Sequence, residues 1–110
     1  MLSDEQISDL KAKHGQKLEV IQNEDGDDTE QFYVVAKPPS EGEYDRFTVM
    51  LLDDDQKARA MKTLVRACVV YPEAAELKKM LAERPGLVGS IGKELAVMAG
   101  AARTVSRKKL

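Results

Sequence analysis

Met61-Lys62-Thr63-Leu64-Val65-Arg66-Ala67-Cys68-Val69-Val70-Tyr71-Pro72 is the stretch on which the fold turns. Met61, Leu64, Val65 and Cys68 recur at i, i+3, i+4 and i+7, the spacing of one face of an α-helix. Lys57, Arg59, Lys62 and Arg66 fall mostly off that face. Val69, Val70 and Tyr71 widen the apolar surface, so the spacing places the end of this helix at the centre of the core. Pro72 suits the first turn of a following helix, whose inner face reads as Leu77, Met80 and Leu81.

Working outward, Pro85-Gly86 breaks the chain. A last helix then carries Val88, Ile91, Leu95, Met98 and Ala102 on one side. Towards the N-terminus, Asp53-Asp54-Asp55 reads as the acidic cap of the central helix. Before it, Ser40-Glu41-Gly42-Glu43 forms a capping box opening a helix with Tyr44, Phe47 and Leu51 on one face. Leu18-Glu19-Val20-Ile21 and Gln31-Phe32-Tyr33-Val34-Val35-Ala36 are β-prone runs around a turn containing Asp25-Gly26, a hairpin pattern ended by Pro38-Pro39. Ser3-Asp4-Glu5-Gln6 is a second capping box, and Gly15 after His14 suits a helix terminus.

The predicted architecture is therefore α+β and mostly helical: an N-terminal helix, a β-hairpin, then a bundle of about four helices. A chain of 110 residues fits one domain. It divides into a helix over 1–15, a hairpin over 17–37, a helical part over 40–102 and a frayed tail over 103–110. The core must be aliphatic, since the chain has no Trp, three Tyr and two Phe.

Charge is unevenly distributed. Residues 1–55 hold fifteen acids and five bases, a balance of −10, and residues 56–110 hold twelve bases and four acids, a balance of +8. Halves of opposite sign attract one another within a fold or steer partners of opposite sign. No apolar run approaches the ~20 residues that cross a bilayer. The single Cys68, set among apolar neighbours, excludes an internal disulfide and reads as a small buried hydrophobe. With no basic, apolar leader at the N-terminus, it points to a reducing, intracellular compartment.

Four constellations bear on chemistry. Gly86 to Glu94 is rich in Gly, yet it misses the phosphate-loop spacing by one residue and has Glu94 where a hydroxyl is needed. Its small residues instead suit close helix packing. Asn23 to Glu30 is acidic, but Asp28 stands where the calcium loop needs Gly. His14 is the only histidine and Cys68 the only cysteine, so neither a metal cluster nor a nucleophilic relay can be assembled. The carboxylates lie in solvated, charge-rich stretches without the apolar pocket that raises a catalytic pKa. The expectation is a protein without enzymatic activity and without a cofactor, acting by binding.

Lys57, Arg59, Lys62 and Arg66 with the arm Arg107-Lys108-Lys109 could face phosphates. The net acidic chain and the absence of interleaved aromatics disfavour nucleic acid, and a solvated face complementing the acidic half explains these bases.

In order along the chain come Leu2-Ser3-Asp4-Glu5-Gln6-Ile7-Ser8-Asp9-Leu10-Lys11, Val34-Val35-Ala36-Lys37-Pro38-Pro39-Ser40-Glu41-Gly42-Glu43-Tyr44-Asp45-Arg46-Phe47, the Lys62–Pro72 segment and Arg84-Pro85-Gly86-Leu87. This succession resembles the small tail assembly chaperones of long-tailed bacteriophages and related prophage elements. Gly42 inside the helix start is a departure from that pattern. The resemblance implies binding to the tape measure protein, a long helical protein that sets tail length, and recruitment of tail tube subunits, in the cytoplasm of a bacterial host.

A chaperone of this kind must cover amphipathic helices with an apolar groove of its own. Leu51, Leu52, Lys62, Arg66, Met80 and Met98 are the candidate partner-binding residues. Met50 and Met61 share the adaptable thioether chemistry, although ordinary core packing explains any one methionine as well. The last helix leaves self-association open. A small phage-encoded inhibitor or regulator, using the acidic half against a host protein, is the alternative, with nucleic-acid binding behind it.

Overall fold

The computed structural model describes residues 2–22, 31–100 and 106–110. Five helices and a three-stranded sheet follow in the order α1 (Asp4–His14), β1 (Glu19–Gln22), β2 (Tyr33–Ala36), α2 (Glu41–Leu52), α3 (Lys57–Cys68), β3 (Val69–Tyr71), α4 (Ala74–Glu83) and α5 (Gly86–Met98). The α+β, mostly helical reading holds.

Both capping boxes form. The Ser3 hydroxyl accepts from the Gln6 amide at 3.2 Å and the Gln6 side chain accepts from the Ser3 amide at 2.9 Å. The Ser40 hydroxyl accepts from the Glu43 amide at 3.1 Å while Glu43 accepts from the Ser40 amide at 2.9 Å. Each pair satisfies two amide donors that a helix start otherwise leaves to water. Gly15, at φ 104°, ends α1 in a conformation that a side chain would strain.

The hairpin pairs antiparallel, with Val20 opposite Val35 and Ile21 opposite Val34. Its connection, Asn23 to Glu30, and the calcium-loop comparison made there lie outside the described residues. So do residues 101–105, including Ala102. The helical run of α5 stops at Met98, and Gly100, also at φ 104°, follows it. Residues 106–110 are exposed and carry no regular structure.

Val69-Val70-Tyr71 corrects the sequence reading. These residues leave the helix and form β3, antiparallel to β2, giving the sheet order β1-β2-β3. Tyr71 stands opposite Val35 and Val69 opposite Ala36, an irregular register that leaves Val70 as the extra residue. The Lys37 amide donates to the Cys68 carbonyl at 3.0 Å and continues the pairing. β-branched and aromatic side chains suit a strand, and a paired sheet edge outweighs one more helical turn. α4 correspondingly begins at Ala74, two residues beyond Pro72.

Alternation along the strands splits the sheet into two faces. Ile21, Val34, Ala36 and Val69 join the buried cluster with Phe47, Met50, Ala60, Leu64, Val65, Cys68, Leu77, Leu81, Leu87, Ile91 and Leu95. α3 is the hub of that cluster and packs most heavily on α2 and α5. The opposite sheet face presents Val20, Tyr33 and Val35 to α1, where Leu2, Ile7 and Leu10 enclose a hollow of about 150 Å³ with them. α1 has no buried residue. It lies on the sheet as a lightly held strap.

Two further readings are corrected. On α2, Phe47 and Met50 are buried, whereas Leu51 is exposed. α3 packs on α2 on the side of Met50, one residue earlier than the Tyr44–Phe47–Leu51 spacing implied. Asp53 ends α2, and its carboxylate accepts from the Asp55 amide at 2.9 Å, a local turn. α3 starts behind Gln56 without a side-chain cap.

Candidate functional site

Two recesses run between α1, β3 and α4. One, of about 480 Å³, has Ala67, Val69, Val70, Pro72 and Leu77 as its apolar surface. His14, Lys37, Arg66 and Lys78 stand around it, with Glu73 as the acid among them. A second, of about 510 Å³, continues past Val70, Pro72 and Glu73 to Leu10, Tyr71 and Glu76. The groove is thus basic at one end, apolar along its floor and acidic at the other.

Its construction follows from the local fold. The turn from α3 into β3 lays Val69 and Val70 across the floor. Arg66, on the last turn of α3, is left at the edge. The last turn of α1 brings His14, and Lys37 follows β2 directly. Lys37 donates to Glu43 at 3.3 Å. Burial raises the Glu43 carboxyl pKa. Hydrogen bonds from Ser40 and Lys37, with the Lys37 charge, outweigh that effect and leave it below its ordinary value of 4.5. Arg66, Lys78 and His14 have no ion-pair partner among the described residues.

A separate feature lies at the end of α2. Val49 is 66% exposed, Leu52 87% and Leu51 37%. Val49 and Leu52 stand one turn apart on the same side of the helix. Scattered single apolar residues are ordinary on a surface. Val49 and Leu52 make a small apolar pair, and Leu51, the least exposed of the three, lies about 200° round the helix from Val49.

The sequence candidates divide between these places. Leu51 and Leu52 are both exposed at the end of α2, Leu52 beside Val49, which the sequence reading passed over although it is one turn before Leu52. Arg66 lines the groove, and Lys62 is exposed one turn earlier on α3. Met80 and Met98 are half-buried against the core, as is Met61, and Met50 is within it. These methionines pack in or against the core. Lys78, Lys37 and His14 were missed as rim residues because they come from three distant segments.

Cys68 is fully buried, and that burial, with the nearby Glu43 charge, pushes its thiol up to about 11 against a partial offset from Lys37. Among the described residues, no three His, Cys, Asp or Glu side chains gather where a metal could be held. No described helix is long and apolar enough to cross a membrane.

The fold and the two surfaces define a small α+β protein with a charged, apolar-floored groove and an apolar helix end. The chain belongs to the family described as Domain of unknown function (DUF6848), which matches residues 10–108. It is also similar to a solved structure, the uncharacterised protein rbstp2171 from Bacillus stearothermophilus. The likeness has a TM-score of 0.75 and 28% identity over 93% of this chain and 99% of that one. The curated proteins hold no match to the chain.

Proposed function

We propose that this protein acts by binding rather than catalysis, as a chaperone of the phage tail assembly kind in the cytoplasm of a bacterial host. It holds an amphipathic helical segment of a tape measure protein and aids assembly of the tail tube around it. The observation that carries this reading is the exposed apolar pair Val49 and Leu52 at the end of α2, with Leu51 also exposed on the same turn. A partner helix with apolar residues at i, i+3 and i+4 can cover such a pair and remove its side chains from water. The ordered resemblance from Leu2 to Leu87 supports the choice of partner.

The experiment is co-purification of the full chain with helical segments of the tape measure protein. Wild type is expected to retain a segment, and Leu51→Asp/Leu52→Asp to lose it with an unchanged circular dichroism spectrum. Retention by the folded double variant, or failure of wild type to bind any segment, overturns the proposal.

A further inference from the structure

We propose that the groove between α1, β3 and α4 is a second docking site, for an acidic amphipathic segment of a partner protein. The argument begins with sign. Lys37, Arg66, Lys78 and His14 surround one end of an apolar floor with Glu73 as the acid among them, although the net charge of the whole chain is −2. Only Lys37 is engaged, with Glu43, among the described residues. Carboxylates of a bound segment would meet Arg66 and Lys78 while its apolar side chains cover Ala67, Val70 and Pro72, the part of the floor that is not already buried.

Shape narrows the occupant. Sites for small molecules fix their ligand with a few polar groups set into an enclosed apolar pocket. Here the described residues include no buried polar or charged side chain, and the two recesses of about 480 and 510 Å³ are neighbours that share Val70, Pro72 and Glu73 as lining. That form suits a length of polypeptide with its charges at the rim. Nucleic acid fits poorly, because the aromatic Tyr71 lies at the end that holds Glu73 and Glu76. The acids beside that ring disfavour the phosphates of any base stacked on it.

This site is independent of the α2 pair. Glu43, the partner of Lys37, and Leu52 are nine residues apart on α2, about 14 Å along the helix axis. The two surfaces can therefore fail or succeed separately.

The test uses the full chain and a designed, labelled peptide with Leu at i, i+3, i+4 and i+7 and Glu elsewhere, against the same peptide with Gln for Glu. Fluorescence anisotropy at low salt should show the Glu peptide binding about fivefold or more tightly, a gap consistent with two or three rim ion pairs. Arg66→Glu/Lys78→Glu should erase the gap without changing the circular dichroism spectrum. Lys57→Glu/Arg59→Glu changes net charge equally and should preserve it, as should Leu52→Asp. Equal binding of the two peptides, no peptide binding, a gap that survives in Arg66→Glu/Lys78→Glu, or a gap lost equally in the Lys57→Glu/Arg59→Glu control overturns the proposal. So does displacement of the Glu peptide by a DNA oligonucleotide of higher affinity.

Discussion

Gly92 of α5 stands directly against Met61 of α3: a Cβ added at Gly92 would fall on the thioether sulfur and lie 2.5 Å from Cγ of Met61. The two helices meet through this contact because α5 offers a hydrogen where any other residue has a carbon. Gly89, one turn earlier, has open space around its Cβ position.

Gly89→Ala is therefore expected to stabilise the protein by about 0.5–1 kcal/mol, the helical advantage of Ala over Gly. Gly92→Ala should instead destabilise by about 1 kcal/mol, as overpacking exceeds that gain. Met61→Ala should remove most of the penalty of Gly92→Ala, a coupling that urea denaturation of the four-member cycle reads directly.

Cys68 is predicted to be inert in the native state. With its thiol pKa pushed up to about 11 and no surface exposed, it should react with a thiol reagent at pH 8 only after unfolding. The unfolded chain ionises near 9.0 and the folded one near 11. Between those values the unfolded state has fewer protons, so stability is intact below pH 9 and falls as pH rises through 11. The loss amounts to about 2–3 kcal/mol. Cys68→Ala should flatten that part of the pH–stability curve.

At the start of α2 the sign reverses. Glu43 has a lowered folded pKa, so its contribution is present above 4.5 and fades as pH falls through the folded value. Ser40→Ala should cost about 1 kcal/mol at neutral pH. Both Ser40→Ala and Lys37→Met should weaken the acid dependence, measured as denaturation midpoints across the acid range.

Substitutions along α2 should separate binding from folding. Leu52→Asp, at an 87% exposed position, should change stability by no more than about 0.5 kcal/mol. Phe47→Ala, in the core, should cost about 3–5 kcal/mol. Thermal melts of the two variants provide the comparison.

α1 should open before the core does. With no buried residue, its amides are expected to exchange with deuterium well ahead of those of α3, whose Ala60, Leu64, Val65 and Cys68 are buried. Hydrogen exchange resolved by residue would show the order.

Much of the fold was legible because its signals are local. Ser3 and Ser40 each mark a helix start through partners three residues away. The stripe Met61–Cys68 defines α3, and Leu77, Leu81, Ile91 and Leu95 identify inner faces that the structure buries. The sequence placed Cys68 inside and read the glycines near Gly92 as packing residues; Gly92 meets that expectation, whereas Gly86 and Gly89 face open space.

Nonlocal partners decided the rest. Val69-Val70-Tyr71 is equally apolar as a helix end or as a strand, and only the free edge of β2 makes the strand the better-bonded choice. Met50 rather than Leu51 is buried because neighbouring elements approach that side of α2.

By itself, then, the sequence determined where helices begin, which residues are apolar enough to fill a core and that the chain is α+β. Those properties depend on neighbours within a few positions, whose spacing is written in the chain. Only the tertiary structure decided that a third strand completes the sheet. It also brought His14, Lys37, Arg66 and Lys78 around one apolar floor, while leaving Val49, Leu51 and Leu52 in water. Residues so far apart in the chain meet only when packing fixes the angle of each element, and no local spacing encodes that angle.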